Sequence, residues 1–345
     1  MVSAMLFVAW VPLVLQVLFA LGLLAWLAFG RPESRTEWLL RSALVAGYLT
    51  ATGVGGLWLI LPWYTPVIYA GLFLAALLRS QRQWESLPDF PGGPVGIAGP
   101  AMVGTLLVLT VALASYILSG WRTPPGAVEL SLPLRSDTYL VVNGGGNELI
   151  NAHLKTLEGE PFRPWRGQSY GVDIEKLNSL GLRARGFLPA SLSAYEIFGE
   201  PVYAPCAGEV IVAKDGVEEM TPPEMDRRNM TGNHIILQCS SAWVVLGHLK
   251  KGSVEVVTGQ PVTQGQRLGR VGNTGNTGEP HLHIHAQRPG TEEAPLSGEP
   301  LPIRFGERYP VRNARIVALE ENEARVESGV RQGMVLGDPP SGENK

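Results

Sequence analysis

Charge is nearly missing from the first third of this chain, and that absence limits what the chain can fold into. Of its 28 basic and 31 acidic side chains, ten lie in residues 1–122. Four apolar segments fill that stretch, near 4–29, 42–61, 63–78 and 100–120. A helix needs about 20 apolar residues to cross the hydrocarbon core, a length that the first, second and fourth reach. The third, WYTPVIYAGLFLAALL, is short and follows Pro62 through a tight turn, which leaves a re-entrant or interfacial segment open. Trp63, Tyr64 and Trp121 stand at segment ends, where aromatic rings favour the headgroup level. Composition therefore predicts a four-helix transmembrane region over 1–122, with the lipid bilayer as its partner.

Arginine placement sets the expected orientation. The first connection carries Arg31, Arg35 and Arg41, and the third carries Arg79 and Arg82. Positive loops stay in the cytoplasm, so four spans leave both termini outside. The first segment lacks the basic start of a cleaved signal peptide and reads as a retained anchor. The expectation is a multi-pass protein of the cytoplasmic (inner) membrane with an extracytoplasmic C-terminal part.

That second part reads as strands. After TPPG at 123–126, short apolar runs rich in β-branched residues alternate with glycine-containing turns, as in VYAPCAGEVIVAKDG, NHIILQC, AWVVLGHL and HLHIHA. This is the pattern of an antiparallel sheet. KDG at 214–216 is a hairpin signal, and one helix-like stretch falls around 175–180. The expected division is a membrane anchor at 1–122, a linker and first strand at 123–147, an all-β domain at 148–312 and a loosely ordered tail at 313–345. Cys206 and Cys239 both fall in this part. An oxidising compartment permits a disulfide between them; two buried thiols are the alternative.

Three of the six histidines sit at alternate positions in EPHLHIHAQ. Side chains two apart on a strand share a face, about 6.6–7 Å apart. Imidazoles gathered on one face repel when protonated, and a metal reverses that balance because neutral imidazole is a common zinc ligand. An exposed polar strand is the bland alternative.

The order LGHL, then PVTQGQRLGRVGNTGNTGEPHLH, with GVDI upstream at 171–174, resembles the lysostaphin-type (LytM-like) zinc metalloendopeptidases. The resemblance covers roughly 148–290 and is specific over 244–285. It implies a small antiparallel β domain with Zn2+ in an open groove. It implies His283 and Asp173 as metal ligands, and His248 and His281 as the catalytic pair. One departure stands out: the family places a histidine four residues before the aspartate, and here that residue is Ser169. The only histidine upstream of Asp173 is His153, in NELINAHL. Some family members begin the site with Asn-x-His, so His153 is the expected third ligand. A histidine with no metal, or a degenerate two-ligand site, are the alternatives.

The resemblance implies a membrane-anchored zinc metalloendopeptidase that cleaves peptide cross-links of peptidoglycan. The alternative is a catalytically silent domain of the same fold that binds peptidoglycan or regulates another wall hydrolase. A lipoyl-like carrier with Lys214 as attachment point is a third and weaker reading. No nucleic-acid partner is expected, and a protein regulator is left open. His285 is expected to orient the metal ligands, and His234 to cap or pack. Glu218, Glu219, Glu224 and Asp226 read as a solvated loop.

Overall fold

The computed structural model describes residues 14–291 and 293–318. The start of the first apolar segment and the tail from 319 lie outside the described residues. A π-helical turn, Val14–Phe19, runs into α1 (Ala20–Phe29), followed by α2 (Arg35–Gly55), α3 (Thr65–Ser80) and α4 (Gly93–Ser119). Ser34 starts α2 by accepting the Glu37 N–H at 3.2 Å, a side-chain cap for an otherwise orphaned donor.

The expected four-helix transmembrane region does not form. Among the described residues one stretch, Ile97–Ser119 of α4, is long and apolar enough to cross a membrane, by length and composition only. The segment 42–61 is not a single helix. α2 begins earlier, at charged Arg35, and stops at Gly55, so Leu57–Leu61 leave the helix. α3 has 16 residues, short of the roughly 20 that a crossing needs, and the apolar helix Val14–Phe29 is shorter still than a span. The first three helices pack on one another through Ala20, Leu24, Leu27, Val45, Trp58, Tyr69 and Ala76. The multi-pass orientation read from the arginine loops falls with the four spans.

The rest is mainly sheet, as the strand pattern predicts. Its strands are β1 (Val128–Leu130), β2 (Thr138–Asn143), β3 (Val172–Lys176), β4 (Pro201–Tyr203), β5 (Gly208–Lys214), β6 (Asn233–Cys239) and β7 (Ala242–Leu249). They continue as β8 (Pro261–Val262), β9 (Arg267–Arg270), β10 (Leu282–Gln287), β11 (Pro300–Leu301), β12 (Ile303–Phe305) and β13 (Arg315–Val317). The main sheet runs β13-β2-β3-β10-β7-β6-β5-β8, with β11 on the end of β10. β13, which lies beyond residue 312, is thus an edge strand of the main sheet.

Period-two alternation decides the two faces. Val172, Ile174, Val244, Leu246, Leu282 and Ile284 point into the core, which leaves Asp173, Gly247 and His283 on the other face. Cys206 and Cys239 are disulfide-bonded, joining the entry to β5 with the end of β6. Two local expectations differ from the fold. Residues 172–176 form β3, and helical turns come earlier, as 3₁₀ segments at Ala152–Thr156 and Glu160–Tyr170. KDG is no tight hairpin: β5 and β6 are joined by a long loop, and Asp215 accepts the Gly252 N–H at 2.9 Å.

Candidate metal centre

Strand register assembles the site. Asn143 on β2 stands opposite Asp173 on β3, Asp173 opposite His283 on β10, and His283 opposite Gly247 on β7. Directly opposed residues of antiparallel strands share a face, so one row across four strands carries the polar side chains. His283 Nδ1 lies 2.8 Å from Asp173 Oδ1.

His153 reaches this row from outside the sheet. The segment Glu160–Tyr170 folds back against Ala152–Thr156 and brings His153 Nε2 to 3.5 Å from Asp173 Oδ2. Gly171 lets the chain pass: a Cβ there would stand 2.7 Å from His283 Cε1 and 3.3 Å from His153 Cγ. Ser169 is turned away, buried, donating to Arg166 O at 2.7 Å and paired with Thr156 Oγ1 at 3.0 Å. One ligand atom each from His153, Asp173 and His283 fall within 4.8 Å of one another.

His248 and His281 flank that triad. Regular alternation would turn His248 away from the face that Gly247 occupies. Its φ of 59° breaks the alternation, at a cost of order 1–3 kcal/mol for a non-glycine residue. Its ring then lies 4.8 Å from that of His281 and 5.8 Å from that of His283. His281 Nε2 is 3.5 Å from Asp173 Oδ1.

Hydrogen bonds fix the imidazole tautomers. His248 Nδ1 lies 2.8 Å from Thr274 O, and His281 Nδ1 lies 2.9 Å from Glu279 O. A carbonyl can only accept, so each Nδ1 carries the proton and each Nε2 keeps its lone pair. His153 does the same with Asn151 Oδ1 at 3.0 Å, while Asn151 Nδ2 donates to the Gly145 and Gly171 carbonyls at 3.1 Å. The Asn-x-His pattern thus has a local cause: the asparagine aims the imidazole. On the far side of His283, Nε2 lies 2.8 Å from His285 Nδ1. Gln287 interacts with His285 and donates to Pro295 O at 2.7 Å.

The electrostatics suit a neutral donor set. Burial brings His153 down to about 4, against the opposing pull of Asp173. Burial and the neighbouring imidazoles hold His248 well below its ordinary value. Burial alone would raise Asp173, yet His153, His281 and His283 together hold it well below the usual carboxylate range. At neutral pH two histidines with free lone pairs and one carboxylate converge, which is the donor set of a catalytic zinc site with room for a further ligand.

The profile of peptidase family M23 matches residues 193–295. The chain carries a peptidase family M23 domain. Solved structures resemble this M23 domain locally. A zinc containing peptidase from Vibrio cholerae is 30% identical with a TM-score of 0.21, covering 27% of this chain and 24% of its own. The catalytic domain of the antimicrobial peptidase lysostaphin from Staphylococcus simulans is 23% identical with a TM-score of 0.24, covering 36% and 71%. The prophage-encoded M23 protein EnpA from Enterococcus faecalis gives 20%, 0.23, 35% and 68%. The chain therefore spans only about a quarter of the length of the Vibrio peptidase. No curated protein matches the chain. His153 and Asp173 lie upstream of the matched residues, so the sheet rather than the family match brings them to the M23 histidines.

Other sequence candidates lie apart from the site. His234 is buried, with Nδ1 2.9 Å from Gly232 O, and Lys214 donates to Asn229 Oδ1 at 3.1 Å. Sequence reasoning passed over Asn143, which donates to Asp173 Oδ2 at 2.9 Å. The available signal was an asparagine closing an otherwise apolar strand just before three glycines.

Proposed function

We propose that the chain is a membrane-anchored zinc metalloendopeptidase, with His153, Asp173 and His283 holding the metal and His248 and His281 serving the reaction. The carrying observation is the convergence of three ligand atoms beside two imidazoles whose free Nε2 atoms are set by carbonyl acceptors. Zinc held there supplies Lewis-acid polarisation of a scissile carbonyl and a lowered pKa for water. His248, neutral because it is buried, takes a proton at Nε2. His281 offers its Nε2 from the opposite side of the same opening, suited to returning a proton to the leaving amine once it carries one. Asn151 and His285 hold the imidazoles of His153 and His283 in the required tautomers.

Peptide cross-links of peptidoglycan are the substrate implied by the LGHL and GNTGNTGEPHLH resemblance. The silent alternative drew its motive from Ser169, and the position of His153 beside Asp173 supports an active site instead. α4 is the proposed anchor, because its apolar surface is left uncovered: 11% of its most apolar window is buried. The Cys206–Cys239 bridge supports an oxidising, extracytoplasmic location for the M23 domain.

The test is elemental analysis of the purified full chain in detergent, beside a muropeptide cleavage assay. Stoichiometric zinc with cleavage is expected. Zinc without cleavage would favour a binding role, and neither would overturn the reading.

A further inference from the structure

Arg312 is a partly buried cation with an unusual set of partners. Its guanidinium donates to Val142 O at 3.1 Å, Leu149 O at 2.7 Å, Gly55 O at 3.4 Å and Asn143 Oδ1 at 3.1 Å. All four are neutral acceptors, and among the described residues no carboxylate pairs with it directly. Burial lowers its pKa to about 10, which still leaves it charged at neutral pH, and the charge that acts against this is that of Asp173. Charged groups are costly to bury without compensation. Here the compensating carboxylate lies one residue away, across Asn143.

Asn143 fits between them in one orientation only. Its Oδ1 receives Arg312 Nη2 and the Ala152 N–H at 3.4 Å, and its Nδ2 donates to Asp173 Oδ2 at 2.9 Å. Flipping the amide would set donor against donor and oxygen against carboxylate. A direct Arg–Asp fork would occupy the lone pairs that a metal needs. The interposed amide satisfies one oxygen and leaves Oδ1 facing His283 and His281. The far end of the same guanidinium rests on the last residue of α2, and Asn313 adds a bond to Gly56 O at 2.8 Å.

We infer that Asn143 and Arg312 are positioning residues for Asp173, forming a bridge that ties the metal-site carboxylate to the end of α2. The inference rests on the reading of Asp173 as a ligand. Changes to partners that orient a ligand lower metal affinity by about 10–100-fold, and the bridge places both residues in that class. Neither touches substrate.

The test uses the full chain in detergent. Zinc affinity is read by competition with a chromophoric chelator, and site geometry by the visible absorption of Co2+-substituted protein. Asn143→Ala is expected to weaken zinc about 10–100-fold and to alter the Co2+ spectrum. Arg312→Lys keeps the charge but lacks the planar fork, and is expected to show the same changes while its thermal midpoint stays near that of the wild type. In a double-mutant cycle with Asn143→Ala and Arg312→Ala, the losses should overlap rather than add, as for residues in one network. Wild-type affinity and spectrum in Asn143→Ala, or additive losses, would overturn the bridge alone. A wild-type chain that holds no metal overturns both the bridge and the peptidase reading.

Discussion

His283 and Asp173 are direct cross-strand neighbours, with Nδ1 and Oδ1 2.8 Å apart. That pairing is the rigid part of the centre, because backbone register holds both residues. His153 is held differently, by a 3₁₀ turn and the side chain of Asn151. The two kinds of support lead to separate expectations.

His153→Ala should lose metal well beyond the roughly 10–100-fold expected of an orienting partner, because a ligand itself is removed. Ser169→Ala should keep both metal and hydrolysis, since its hydroxyl serves only Arg166 O and Thr156. Zinc content of the two variants, measured together, decides the point. Full zinc in His153→Ala would hand the third position to another residue.

His248→Ala and His281→Ala should retain zinc and lose about 10²–10⁴-fold in turnover, the range for a positioned acid or base. Their anchors are backbone carbonyls, so substitution should leave Asp173 and His283 in place. Loss of zinc in either variant would mean that it is a ligand.

Stability of the chelator-stripped protein should fall as the medium is acidified from pH 7. Folded His153 has its pKa near 4 against 6.5 for the unfolded chain, and burial also depresses His248, His285 and His234. Between those values the folded state binds fewer protons, so protonation favours unfolding. The contribution is intact above about pH 6.5 and is lost toward pH 4. For His153 alone the loss is about 3 kcal/mol, at 1.36 kcal/mol for each pKa unit. Urea midpoints at pH 7.5, 6 and 5 measure it; a flat series would contradict the burial of these rings.

The disulfide closes a separation of 33 residues, a loop whose cross-link is worth about 3–4 kcal/mol in the chain-entropy model. Cys206→Ala with Cys239→Ala should lower stability by that order. In the unreduced protein neither thiol should react with an alkylating reagent; ready labelling would remove the argument for an oxidising compartment. A reporter active only in the cytoplasm, fused after Lys345, should likewise stay silent.

The sheet and its histidines were legible because period-two patterning survives in the sequence: HLHIH shows its face without any knowledge of the fold. Two other features were hidden for opposite reasons. His248 reaches the site only through a left-handed residue, which no pattern of apolar positions reports, and its role came from the LGHL resemblance. Asn143 and Arg312 meet across 169 residues of chain, a pairing that only the β2–β3–β13 arrangement brings about. The helical part misled for a third reason. Apolar composition continues past the end of α2 at Gly55, so hydropathy ran together a helix and the loop after it.

Asn147 donates to the Tyr116 and Ile117 carbonyls at the end of α4, at 2.6 and 3.3 Å, and it lies four residues before the Asn151 that aims His153. Leu59 and Trp63 from the helical part also pack on Leu140, Val142 and Leu177 of the sheet. With α4 as the anchor, the cleft has no leash: it works at one fixed height above the bilayer. Its choice of cross-links is then partly a matter of altitude, taking bonds in the layer of wall nearest the membrane and leaving chemically identical bonds farther out untouched.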